Sequence, residues 1–301
     1  MTDTLSTLVQ DVYFELGQSE PIFTCTGGSA TTAIDTSRQY LIDPPDADRN
    51  KGDYLAVKST TDGAAPQGEW SQITAYTDTT YTYTFGTLTA ALAAGDKVII
   101  LKQNLLKLYD VIKAINDGFE TIGDIPYIDK TSLDTASDQT EYDYPVTLKR
   151  NPPVAVYVQT QTGDSNDNLP EQVSFRYEPA LGGSTGLLIL PQLPSGRDLY
   201  IYANTVHPEL TAYSSSLYEG LNRKLVVEAA IANLLMRINS GKRGKDDFWV
   251  ARENDARKEV ERLRGQLKPW RPKGRRYAAY GYDAYGNGRY PGDQSIYDRV
   301  D

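Results

Sequence analysis

Among side chains suited to nucleophilic or proton-transfer chemistry near neutral pH, cysteine and histidine each occur once, as Cys25 and His207. A reactive thiolate needs an electropositive surrounding. Cys25 lies in Phe23-Thr-Cys-Thr-Gly-Gly28, without a neighbouring histidine or lysine, and reads as a partly buried strand residue. His207, in Thr205-Val-His-Pro208, has no motif that supplies a nucleophile and an orienting acid. It reads as structural or exposed. A single cysteine excludes an internal disulfide and a thiolate metal cage, and a single histidine excludes the usual multi-histidine metal sites. Asp43, Asp46 and Asp48 lack the spacing and the closing glutamate of a calcium loop, so a solvated loop is the expectation. Gly27-Gly28 precedes neither a lysine nor a helix, which excludes a phosphate loop and leaves a turn. Glu141-Tyr-Asp-Tyr144 reads as an alternating strand rather than a carbohydrate platform. The expectation is therefore a protein that is not an enzyme, with no catalytic residues, metal or cofactor.

The stretch with distinctive chemistry is the last one. Lys268, Trp270, Arg271, Lys273, Arg275, Arg276 and Tyr277 follow one another with no acid among them. Tyr280, Tyr282, Tyr285, Arg289, Tyr290 and Tyr297 come next, spaced among glycines. Arginine with aromatics suits a protein groove, because both are enriched at interface hot spots. The same combination suits single-stranded nucleic acid, by phosphate pairing and base stacking. A disordered, solubilising end is the bland alternative. Asp283, Asp293, Asp298 and Asp301 weaken the nucleic-acid reading, since a phosphate-tracking arm would not spread carboxylates along itself. Protein docking is the preferred reading for residues 268–301.

Several elements must carry that arm. Leu217, Leu221, Leu225, Ala229, Ala232 and Leu235 recur at helical steps, with Ser216 and Glu219 at capping-box spacing and Gly241 as the stop. A second helix is expected from about Asp247 to Lys268. Its narrow seam is Trp249, Ala256, Val260, Leu263 and Leu267, and Pro269 closes it. Near the start, Leu5, Leu8, Val9, Val12 and Leu16 predict a short helix over 4–17, with Asp3 as N-cap and Gly17 as stop. It is too short to stand alone in water. The clearest helix runs from Gln103 to Ile122, with Leu105, Leu108, Ile112, Ile115, Phe119 and Ile122 on one face and Gly123 ending it.

Two β regions separate these helices. Alternating runs at 39–43, 53–59, 71–77, 80–85 and 96–101 predict a small all-β module of about five strands, a barrel or curled sheet, within residues 18–102. Residues 124–139 read as loop. Strands are then expected at 141–148, 154–161, 172–178, 187–190 and 198–204. Helices and strands are segregated rather than alternating, which argues for an α+β fold and against a doubly wound sheet. The expected organisation is a helical core (1–17 and 103–139, completed by a helical pair at 207–267). An inserted β module (18–102), an antiparallel β region (140–206) and an extended arm (268–301) complete it.

Composition sets the outer limits. At 301 residues and 40% apolar, the chain can bury a sizeable core. Mean hydropathy is −0.49 and no apolar run reaches the roughly 18 residues of a spanning helix, so a soluble protein with no membrane partner is expected. The N-terminus shows neither a basic leader nor an apolar signal segment. Net charge is −9, unevenly spread: residues 1–206 carry 13 basic and 27 acidic side chains, and residues 207–301 carry 18 and 13. Most of the molecule would repel nucleic acid, and only the last segment could attract a polyanion or an acidic surface. The 22 tyrosines against 6 phenylalanines favour wet sheet surfaces and protein contacts.

Taken together, several of these stretches resemble the head–tail connector (adaptor) proteins of tailed bacteriophages. The resemblance is carried by Leu108-Tyr-Asp-Val-Ile-Lys-Ala-Ile-Asn116, Ile125-Pro126 and the passage from Asp138 to Glu141-Tyr-Asp-Tyr-Pro145. Residues 190–238 are similar to the later part of such proteins, a proline-bearing sheet edge before a long apolar helix. Gly52-Asp-Tyr-Leu-Ala-Val57, Trp70-Ser-Gln-Ile-Thr-Ala-Tyr76 and Gly95-Asp-Lys-Val-Ile-Ile100 resemble a β module of phage neck proteins. As an order of elements, the likeness covers most of residues 1–267. It implies a virion location in the neck and a homo-dodecameric ring beneath the portal protein. The ring would contact another neck or tail protein and let DNA pass without sequence-specific binding. It also implies that the C-terminal arm docks in the portal. A stopper or tail terminator of similar fold, and a nucleic-acid binder using its arm, are the alternatives.

Overall fold

Thr4 starts the first helix by a reciprocal exchange: its hydroxyl accepts from Thr7 N, and Thr7 Oγ1 accepts from Thr4 N at 2.9 Å. This capping box satisfies two donors that a helix start leaves open. Helix α1 (Leu5–Glu15) follows, and Gly17, at φ +63°, ends it. Asp3, expected as the cap, instead pairs with Arg223 at 3.2 Å. A computed structural model describes residues 3–37, 49–130, 132–148, 151–160, 170–179, 186–218, 220–240 and 247–269. Among these the fold is mixed, with four α-helices and three antiparallel sheets.

Residues 23–101 supply seven strands: β1 (Phe23–Thr24), β2 (Gly27–Gly28), β3 (Thr32–Ile34), β4 (Tyr54–Ser59), β5 (Trp70–Thr77), β6 (Thr82–Phe85) and β7 (Lys97–Leu101). They pair in the order β1-β7-β4-β5-β6-β3-β2. The two end strands, β1 and β2, are joined by Cys25 and Thr26 alone. One bent segment therefore serves both edges, and the sheet closes into a barrel. Its interior holds Phe23, Leu55, Val57, Ile73, Tyr76, Tyr83, Phe85, Val98 and Ile100, with Leu88 and Leu92 also in this core. Gly27-Gly28, expected as a turn, is strand β2. A Cβ on Gly28 would stand 2.6 Å from Thr32 O, so only glycine allows so tight a pairing with β3. The run expected at 39–43 lies outside the described residues. Ala56, Ile99 and Leu101 are also buried, on the other face of β4 and β7, where α1 packs. Burial on both faces explains the unbroken apolar run Val98–Leu101.

Helix α2 (Leu108–Ile122) begins five residues later than expected. Gln103 Oε1 accepts from Leu108 N at 2.9 Å and caps it, so the residues before it turn instead of coiling. Leu108, Val111, Ala114, Ile115, Phe119 and Ile122 are buried. Helix α3 (Arg223–Ser240) starts seven residues after Ser216. Ser216 bridges Thr4, while Leu5 N donates to Ser215 O and Leu217 N to Asp3 O. Asn222 Oδ1 accepts from Lys224 N at 2.9 Å and caps α3 in Ser216's place. Glu219 and Gly241 lie outside the described residues. Eleven residues of α3 are buried, on every side, because α1, α2 and α4 (Asp247–Arg264) all pack on it. Gly118 of α2 approaches so closely that its Cβ would meet Ala229 Cβ at 3.4 Å.

By internal packing the chain forms two compact units, one from 1–122 with 207–265, the other built on 123–206. The second contains β8 (Ile125–Asp129), β9 (Glu141–Asp143), β10 (Ala155–Val158), β11 (Glu171–Val173), β12 (Arg176–Glu178), β13 (Leu187–Ile189) and β14 (Leu199–Thr205). They form one sheet ordered β11-β10-β14-β8 and another ordered β12-β13-β9. The stretch containing β8 was expected as loop. Pro126 is tolerated there because β8 is an edge strand of its sheet. The single strand expected at 172–178 divides, β11 pairing with β10 and β12 with β13. The strand from 141 stops at Asp143, before Pro145, and a 3-10 turn follows at Val146–Leu148.

Candidate interaction site

The candidate arm is rooted in α4, and the structure shows how that root is held. Ala256, Val260 and Leu263 form the buried seam, and Trp249 and Leu267 are half-buried. So narrow a stripe buries little area, and polar contacts add to it. Arg252 donates to both carboxylate oxygens of Glu228 on α3, at 2.9 and 3.4 Å. Glu228 is only 7% exposed, so the pair joining α4 to α3 is largely withdrawn from water. Asn239 Nδ2 donates to Glu253 at 2.7 Å. Lys224 and Arg262 both meet the Glu259 carboxylate, and hydrogen bonds from Arg262 first and Lys224 second hold it down to about 2. The last turn of α4 thus ends in a tied helix, with Lys268 exposed just beyond it. Of the candidate docking residues, Lys268 alone is described. Trp270, Arg271, Lys273, Arg275, Arg276, Tyr277, Tyr280, Tyr282, Tyr285, Arg289, Tyr290 and Tyr297 lie outside the described residues.

The residues with intrinsic reactivity are placed in interiors. Cys25 is 1% exposed, and burial, reinforced by Asp96 and Asp35, pushes its thiol up to about 12. That is the opposite of an activated thiolate. His207 is 5% exposed, and burial lowers its pKa. Tyr142 and Tyr144 point into the core of the second unit, so Glu141-Tyr-Asp-Tyr144 alternates as a strand does. Asp43, Asp46 and Asp48 lie outside the described residues. Among the described residues no group of three histidine, cysteine or acidic side chains could hold a metal ion.

The helices also carry features that periodicity alone did not single out. Each has one large apolar side chain in solvent: Phe14 (67% exposed), Tyr109 (74%), Met236 (44%) and Phe248 (66%). Phe14 stands off the Leu5–Leu8–Val12 face, so an apolar residue out of phase was the available signal. The Glu228–Arg252 pair had a weaker one, a lone acid inside the apolar run of α3. No helix of the described residues is long and apolar enough to cross a membrane. No protein-family model matches the chain, and no curated protein matches it.

Proposed function

We propose that the chain is a non-enzymatic structural adaptor of a tailed-phage virion, placed in the neck between the portal protein and the tail. In this reading the helices form the core of a ring-building subunit, with the barrel inserted into it. Residues 268–301 form an arm that docks in the portal. The observation that carries the reading is the cationic, tyrosine-rich sequence of 268–301, set directly after a helix tied to the body by a buried ion pair. A ring makes many weak arms act together, at effective concentrations on the order of millimolar per arm. An acidic body, net −14 over residues 1–206, gives passing DNA little to adhere to.

Deleting 268–301 is expected to leave a folded protein that no longer co-purifies with capsids. Alanine at Arg275, Arg276, Tyr277 and Tyr280 together should weaken docking in the same assay. Capsid binding by the truncated chain refutes the arm's role. Binding of the full chain to single-stranded nucleic acid with a steep salt dependence would favour the nucleic-acid reading instead.

A further inference from the structure

The chain crosses between its two compact units after Ile122, before His207 and again after Gly265. Within the first unit the first two of these crossing points are tied by one side chain. The His207 imidazole stacks on Phe119 in the last turn of α2, with centroids 4.3 Å apart and planes 25° from parallel. It also lies 4.3 Å from the ring of Tyr218.

Both ring nitrogens are committed to backbone groups of opposite kind. Nδ1 is 2.6 Å from Pro208 O, which can only accept, so Nδ1 carries the hydrogen. Nε2 is 2.9 Å from Tyr218 N, which can only donate, so Nε2 must be bare. A second proton on Nε2 would face the Tyr218 amide hydrogen, and that hydrogen bond would be lost. Among the described residues, its neighbours offer the charged ring no partner. α2 presents Phe119 and also Asn116, whose amide holds both the N–H and the C=O of Leu210. Asp117 on that helix is paired with Arg237, and Glu120 is exposed, as is Glu209 in the loop. Burial lowers the imidazole pKa, opposed by the Pro208 hydrogen bond.

We infer that His207 is a proton-operated fastening of loop 207–218. Neutral, it closes the loop against α2, and the loop in turn holds the chain start through Leu217 N to Asp3 O and Leu5 N to Ser215 O, both 2.8 Å. Protonated, it releases the Tyr218 amide and loosens the second crossing and the start of α1 together. The folded state binds the proton less readily than the unfolded chain does. The stabilisation is therefore complete above the ordinary imidazole value, about 6.5, and is lost as pH falls toward the lower folded value.

Because His207 is the only histidine in the 301-residue chain, its titration can be read directly. In the full chain with isotope-labelled histidine, NMR from pH 8 to 4.5 should show the Nδ1–H tautomer at neutral pH. It should also show titration below 6.5. Hydrogen-exchange protection of the Tyr218 amide, corrected for intrinsic rates, should drop about tenfold as the ring titrates, the size expected for the loss of one hydrogen bond. A His207→Phe variant, which keeps an aromatic ring but cannot titrate, should leave that amide poorly protected at every pH. If the variant does not fold, the wild-type titration decides alone. An Nε2–H tautomer, titration at or above the ordinary value, or unchanged Tyr218 protection across the titration overturns the inference.

Discussion

The two β regions of this chain handle strand edges in opposite ways. The barrel leaves none between its end strands, because residues 23–28 pair with β7 at one end and β3 at the other. The second unit keeps two open sheets. Among the described residues their end strands are β11 and β8 in one, β12 and β9 in the other. Both regions bury a full apolar cluster, so hydrophobic content does not separate them. Closure does. An open edge presents unpaired backbone groups on which another chain can add a strand, and a closed barrel presents none. The contrast predicts a more rigid module beside the helices and more adaptable sheets in the second unit.

The strongest test places matched cavities in the two regions. Ile100→Ala in β7 and Ile201→Ala in β14 both truncate side chains with 0% exposure, and each should cost about 2–5 kcal/mol by denaturant unfolding. The readout that separates them is Cys25, the chain's only cysteine, inert while buried and held between the two barrel edges. Ile100→Ala should speed its labelling by a thiol reagent, whereas Ile201→Ala should leave the labelling rate unchanged. If both variants expose Cys25 equally, the two regions open as one, and the comparison fails.

Gly28→Ala should have a smaller effect of about 1–3 kcal/mol, since the added methyl meets Thr32 O and Leu92 without room to shift. It acts at the closing hairpin, so Cys25 labelling should rise more than global stability falls. The smallest effect belongs to the exposed Arg176–Glu178 pair on β12, at 2.8 Å. Arg176→Ala should change stability by less than about 1 kcal/mol and leave both cores intact by hydrogen exchange. A larger loss would mean that this end strand is not solvent-facing in solution.

Legibility followed the range of the interactions involved. Ala256, Val260 and Leu263 of α4 and Leu108, Ile115, Phe119 and Ile122 of α2 could be read directly, because a helical face repeats within one element, whereas Leu105 falls before α2, and α4 ends at Arg264, ahead of the expected Leu267 and Pro269. The alternation in β6 was legible for the same reason, whereas in β5 a bulge between Ile73 and Ala75 breaks it and puts the buried Ile73 and Tyr76 three residues apart. The start of α3 was not. Ser216 and Glu219 had the right spacing, but pairing of residues 215–217 with the chain start, more than 200 residues away, draws that stretch out of the helix. Strand β8 was hidden by Pro126, since only its neighbours show that it lies at an edge. At the candidate site the residues of the arm were legible as a composition, and the structure adds how its root is fastened.

The sequence by itself determined that four helices are separated by two β regions, together with the uneven charge and the scarcity of reactive side chains. These follow from local periodicity and from counting. Only the tertiary structure decided that the β module closes, that α3 is covered on all sides, and that His207 has a committed donor and a committed acceptor. Each of those depends on which distant backbone groups meet, and hydrogen bonding between residues far apart in the chain leaves no periodic mark on the residues that take part.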